Sequence, residues 1–220
     1  MSSGTITRAG TAPLNEVARY SFAERAVHWI AAIAYVYCMV TGLALFTPFM
    51  YWMAAVLGGG GTDRFWHPWV GLVYLVTILW MQAKWRWDMA PIPEDKKWDE
   101  NLKYYVKNQD DKMPPQGRFN AGQKLFWKGM FWCALILLIT GVVMWFPELM
   151  PRDAHFALTL FTFIHSATAL VTIALIIIHV YMSVWLEPGS LKSMIDGGVS
   201  PRWARTHHRL WYEKMTGRKS

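Results

Sequence analysis

Residues Phe161–Leu186 read FTFIHSATALVTIALIIIHVYMSVWL, 26 residues without Asp, Glu, Lys or Arg, interrupted by His165 and His179. At ~1.5 Å rise per residue this helix is roughly 39 Å long, enough to cross a ~30 Å hydrocarbon layer with its ends in the headgroups. The histidines stand 14 residues apart, close to four turns, so their rings share one side about 21 Å apart along the axis, one near each leaflet. An imidazole in hydrocarbon is costly unless it faces the bundle interior and has a partner, and neutral imidazole is a common metal ligand. Two on one stripe at this separation point to a pair of stacked haems. Hydrogen bonding of each ring to a neighbouring helix is the plainer alternative.

Working outward, the chain is 54% hydrophobic with 14 Trp and 11 Phe, an aromatic load that suits interfacial belts better than a soluble core. Residues 1–26 hold Arg8, Glu16, Arg19, Glu24 and Arg25 and no apolar core of a signal peptide. The first hydrophobic segment is therefore expected to stay as an uncleaved anchor. Cys38 and Cys133 lie inside apolar segments and read as packing residues. With no C-x-x-C-H, any haem is held non-covalently and is b-type. The net charge of +7 is better explained by membrane topology than by nucleic acid.

The sequence predicts an all-α membrane protein, an up-down bundle of four transmembrane helices over about 27–47, 67–83, 125–146 and 161–186, binding two b-type haems. Residues 1–25 form an N-terminal segment, 26–186 the transmembrane domain and 187–220 a basic tail. FMYWMAAVL after Pro48 reads as a short interfacial helix stopped by Gly58 to Gly61, and Pro68 falls in the first turn of the second span. Residues 84–124 form a polar loop in which WDENLKYYVKNQD suits a surface helix. Lys and Arg number three before the first span, one between the first two, nine in 84–124, one between the last two and seven after the fourth. That asymmetry puts both termini and the central loop in the cytoplasm.

Orientation then pairs the histidines by depth. His28 and His179 lie at the cytoplasmic level, and His67 and His165 at the periplasmic level. Two axial imidazoles per iron leave no coordination position for oxygen or substrate, which is electron-transfer chemistry. Gly42 follows His28 by 14 residues, at the level of the outer haem, where it leaves room for a macrocycle or allows close helix approach. His155, His207 and His208 read as solvated. No Asp or Glu lies inside a span, so a proton relay through the bundle is hard to build.

ERAVHW around His28, FWHPWVG around His67, FNAGQK at Phe119–Lys124, IHVYMSVW around His179 and the ending GSLKSMIDGGVSPRWARTHHRLWY resemble the gamma subunits, cytochromes b556, of membrane-bound respiratory formate dehydrogenases. The resemblance implies a multi-pass subunit of the bacterial inner membrane with two haems b. It also implies an alpha subunit oxidising formate at a molybdenum or tungsten centre, an iron–sulfur beta subunit feeding the His67/His165 haem, and quinone reduction near the His28/His179 haem. Asn120, Gly122 and His179 would line the quinone pocket. Asn120 alternatively caps the third span, and Lys124 reads as an interfacial charge. Menaquinone or ubiquinone, and a trimer of such heterotrimers, remain open at this stage. So do two other readings, a cytochrome b of a hydrogenase or thiosulfate reductase, and a haem-free membrane anchor or transporter subunit.

Overall fold

The computed structural model describes residues 16–151 and 153–217; the expectation for residues 1–15 lies outside them. In chain order its helices are α1 (Phe22–Phe46), α2 (Trp52–Val56), α3 (Gly60–Trp85), α4 (Pro93–Glu100), α5 (Leu102–Val106), α6 (Ala121–Trp145), α7 (His155–Tyr181), α8 (Pro188–Asp196), α9 (Pro201–His207) and α10 (Arg209–Thr216). A π turn, Met182–Leu186, follows α7, and β1 (Val17–Ala18) pairs antiparallel with β2 (Gly198–Val199).

Two of the long helices start before their apolar runs because reciprocal caps open them. Glu24 Oε2 accepts from the Ser21 N–H at 2.8 Å while Ser21 Oγ accepts from the Glu24 N–H at 3.3 Å. Asn120 Oδ1 accepts from the Gln123 N–H at 2.8 Å, and Gln123 Oε1 from the Asn120 N–H at 3.0 Å. Each box satisfies two of the donors that a helix start leaves without partners. At α3 the glycines divide their work. Gly58 and Gly59, at φ +96° and +93°, turn the chain after α2, whereas Gly60 and Gly61 already belong to α3. Pro68 is therefore interior to α3 and not in its first turn, a correction to the sequence expectation.

Among the described residues, α1, α6 and the segment His155–Leu186 are long and apolar enough to cross a membrane, and only 28%, 22% and 6% of their most apolar stretches are buried within the chain. Helices apolar on their outward faces as well as inside belong in lipid, so this is a membrane protein. The second expected span, carried by α3, is not among the three. Asp63, Arg64, Gln82 and Lys84 occupy its ends, and Trp, Tyr and His dilute its aliphatic content.

The chain divides into two compact units. One comprises Val27–Arg86 and Phe126–His179. Its interior is closed by small residues, Ala31, Ala34, Ala44 and Ala134, with Ile78, Met81, Trp85, Trp127 and Met130. Tyr35 donates to Thr172 Oγ1 at 3.1 Å and Trp127 Nε1 to Gln82 Oε1 at 2.6 Å, which pairs these polar groups, whereas both Asp63 carboxylate oxygens are buried without a hydrogen-bond partner among the described residues.

Among the described residues, the other unit draws on 16–26, Trp87–Leu125 and 180–217. Here the expected basic tail is a folded element. Val199, Ala204, Trp211 and Tyr212 form an apolar cluster with Val17 and Trp203 against it. His208, expected to be solvated, is 0% exposed. Arg19 Nη2 can only donate to His208 Nε2, at 2.9 Å, so Nδ1 carries the proton and donates to the Gly117 carbonyl at 2.7 Å. The ring is neutral, and burial first, then the Arg19 charge, hold it well below the ordinary histidine range. His155 is exposed as expected, though it is the first residue of α7 and not part of a loop. The expected surface helix within 98–110 is two short helices, α4 and α5, which bring Trp98 and Tyr105 together beside Ala121.

Candidate cofactor site

The structure brings the four histidines together as two pairs. The ring centroids of His28 and His179 are 6.3 Å apart with their planes at 49°, and those of His67 and His165 are 6.3 Å apart at 60°. Two imidazoles on opposite sides of one metal atom, each about 2 Å from it through a nitrogen, place their centroids about 6 Å apart. Among the described residues no group of three or more His, Cys, Asp or Glu is placed to hold a metal ion. Two histidine rings at this separation suit a metal whose other positions come from a planar macrocycle.

The His67/His165 pair carries a further device. Thr41 Oγ1 lies 2.8 Å from the Tyr37 carbonyl and 2.7 Å from His67 Nδ1. Thr140 Oγ1 lies 2.7 Å from the Ile136 carbonyl and 2.8 Å from His165 Nδ1. A hydroxyl has one hydrogen, and the carbonyl can only accept it, so the hydroxyl meets each imidazole as an acceptor. Nδ1 must then hold the proton in both rings. The tautomer leaves the Nε2 lone pair free in each, which is the arrangement a metal-ligating histidine takes.

Glycine follows each threonine. A Cβ on Gly42 would sit 3.4 Å from His67 Cε1, and one on Gly141 would sit 3.3 Å from His165 Cε1. The His28/His179 pair is built differently. His179 stacks on Phe126 with centroids 4.5 Å apart and planes at 9°, Trp29 meets His28 edge-on at 5.5 Å, and His28 Nδ1 is buried with no hydrogen-bond partner among the described residues. The donor set, the tautomers and this orphaned ring nitrogen fit haem held between opposed histidines.

Asn120 and Gly122 lie in the other unit, at the start of α6. The alternative reading of Asn120 as a cap is met in the structure: Oδ1 closes the box with Gln123, while Nδ2 donates to Glu187 Oε1 at 3.3 Å. At Gly122 a Cβ would fall 2.9 Å from the Trp98 ring, so glycine is what allows Trp98 to lie on the first turn of α6. Lys124 is not a free interfacial charge, because Nζ reaches both Asp95 oxygens at 2.9 and 3.0 Å. Around Asn120 stand Tyr105 and Glu187, both buried. Burial first, then the Glu187 charge, push the Tyr105 phenol above its usual range.

Sequence reasoning did not single out Thr41, Thr140, Gly141 or Glu187. A signal was present for the first three: the dipeptide Thr-Gly occurs near the end of α1 and again near the end of α6.

These features, apolar helices with two pairs of neighbouring histidines, one pair in the ligating tautomer, define a membrane-bound cytochrome of the b type. The chain belongs to the prokaryotic cytochrome b561 family, whose model matches residues 19–197. It is 31% identical over 199 residues to the cytochrome b556(Fdn) subunit of nitrate-inducible formate dehydrogenase of Escherichia coli K12, covering 90% of this chain and 91% of that one. It is 30% identical over 200 residues to the formate dehydrogenase cytochrome b556(fdo) subunit of the same strain, covering 90% and 93%. To the formate dehydrogenase cytochrome b556 subunit of Haemophilus influenzae the figures are 28% over 199 residues, covering 90% and 83%.

Proposed function

We propose that this chain is the di-haem cytochrome b subunit of a formate dehydrogenase complex in a bacterial inner membrane, taking electrons from an iron–sulfur partner subunit and passing them to quinone. The observation that carries the reading is the pair of histidine couples, each 6.3 Å between ring centroids. Bound there, two haems b supply one-electron carriage between the two faces of the membrane. His67 and His165 hold the outer one and His28 and His179 the inner. Thr41 and Thr140 fix the outer rings in the ligating tautomer, and Gly42 and Gly141 keep space beside them.

The names of the relatives support formate dehydrogenase as the complex; a molybdenum or tungsten alpha subunit and an iron–sulfur beta subunit are the partners that this reading assigns to it. α3 serves as the fourth span: residues 65–83 carry no charge, and 19 residues of helix rise about 28 Å. With the clustering of Lys and Arg described above, four spans put both termini and residues 84–124 in the cytoplasm. Asn120 takes the quinone carbonyl through its amide and Gly122 keeps the adjoining wall low; His179 is the further residue that this reading assigns to the quinone.

The test is a haem count by pyridine haemochrome on the detergent-purified chain, followed by formate-driven reduction of the complex in membranes. Two b haems per polypeptide and formate-dependent reduction are expected. No haem would return the histidines to helix packing, and two haems reducible only by hydrogen or thiosulfate would reassign the complex.

A further inference from the structure

Turning a quinone into a quinol consumes two electrons and two protons, and no Asp or Glu lies inside the spans to bring protons through the bundle. Outside them, one carboxylate is buried beside Asn120. Glu187 side-chain exposure is 4%, and its Oε1 accepts from Asn120 Nδ2 at 3.3 Å while Oε2 accepts from Ser190 Oγ at 3.1 Å. Tyr105 from α5 lines the same cavity as Glu187 and Asn120. His207 Nδ1, on α9, stands 3.9 Å from Glu187 Oε1 and 3.8 Å from Asp110 Oδ1. Side-chain exposure rises along this line, from 4% at Glu187 to 13% at His207 and 23% at Asp110.

Both His207 distances exceed a direct hydrogen bond, as expected where water bridges the groups. A cavity of about 10 Å³ touches Glu187, His207, Asp110 and Asn120, about the volume that one water needs. Gln116 lines the same cavity and its Oε1 is buried without a hydrogen-bond partner among the described residues, an acceptor that such a water would serve.

We infer that Asp110, His207 and Glu187 form the proton-uptake route for quinone reduction, with Glu187 as the acid that protonates the quinone. The inference rests on the reading of Asn120 as the quinone contact. Asn120 couples the two events: when its amide turns from Glu187 to a quinone carbonyl, the carboxylate loses a donor that favoured its charged form and takes up a proton. As electrons arrive, that proton passes to the quinone oxygen. Glu187 is recharged from His207, and His207 from water through Asp110. Two rounds join two electrons and two protons to one quinone, giving one quinol.

The experiment uses the intact complex with menadione and ubiquinone-1 as probes. Binding of the effective quinone without turnover should release colour change from a pH dye equivalent to uptake of a proton, and Glu187→Gln should abolish it. Glu187→Gln should leave quinone affinity, haem content and formate-driven haem reduction intact, yet slow quinol formation about a hundredfold and flatten its pH profile. Glu187→Asp, which keeps the acid, should restore proton uptake and guards against a misfolded Gln variant. Unchanged proton uptake and pH profile in Glu187→Gln overturn the route. Unchanged quinone affinity in Asn120→Ala overturns the quinone site itself, so the two failures are told apart.

Discussion

Replacing Thr41 by valine removes one hydroxyl and keeps the side-chain volume, so its effect on His67 can be worked from the distances. The hydroxyl is the acceptor for the His67 Nδ1 proton at 2.7 Å. Without it a buried ring N–H has no partner, at a cost of about 1–3 kcal/mol. If that cost falls on the ligated state, the affinity for haem drops roughly 5- to 150-fold, the same range found when outer partners of metal-bound histidines are removed, about 10- to 100-fold. The loss of the acceptor also makes the imidazole a weaker donor to iron, so the ferric form loses more than the ferrous form and the midpoint potential of the outer haem rises.

The assay is haem loss to excess apomyoglobin from the detergent-purified chain, with a potentiometric titration of the Soret band. Thr41→Val and Thr140→Val should each speed the loss of one haem of two and move one of two redox steps upward. Thr172→Val, which removes a hydroxyl bonded to Tyr35 at 3.1 Å, is the control and should leave both steps in place. Unchanged haem retention and potentials in both Thr41→Val and Thr140→Val would refute the tautomer argument.

Other substitutions read the remaining geometry. His165→Ala should remove the outer haem alone and His179→Ala the inner alone, checked by which redox step disappears; loss of the same step in both would break the pairing. Gly141→Val adds bulk where a Cβ already falls 3.3 Å from His165, and should lower haem content from two towards one while the helices, followed by circular dichroism, persist. For His208 the unfolded chain, with an ordinary value of 6.5, binds a proton that the folded chain refuses. Its contribution to stability is therefore full above about pH 6.5 and falls as the pH drops below that, by about 1.4 kcal/mol per unit until the folded value is reached. Tryptic cleavage within α9 and α10 should accelerate at pH 5.5 relative to pH 7.5, and His208→Gln should reduce that difference.

The long apolar helices were legible because lipid demands an unbroken run of non-polar residues, and the way the histidines fall into pairs because helical rise converts sequence separation into distance along an axis. What hydropathy could not read were the helix starts. The boxes at Ser21/Glu24 and Asn120/Gln123 depend on single side chains reaching back to the backbone, and neither alters the apolar average. His208 was misjudged for a related reason: seven positive charges after the fourth span draw attention to solvent, but Trp203, Trp211 and Tyr212 give this segment apolar faces and His208 is held by Arg19 and Gly117. Glu187 was invisible as chemistry because its partners Tyr105, Asp110, Asn120 and His207 are scattered over a hundred residues of sequence, and only the fold gathers them.

The repeated Thr-Gly has an implication for how little polypeptide an outer site needs. Thr41 lies 26 residues before His67 and Thr140 lies 25 before His165, so each pair of successive long helices is a half-site complete with hydroxyl, gap and ligand. The two halves meet as near equivalents, the way two copies of one subunit meet across a dyad. A hairpin spanning residues 121–181 therefore contains every element of a self-associating haem-binding module, whereas no such reduction exists for the inner pair, whose histidines stand on the first and last long helices.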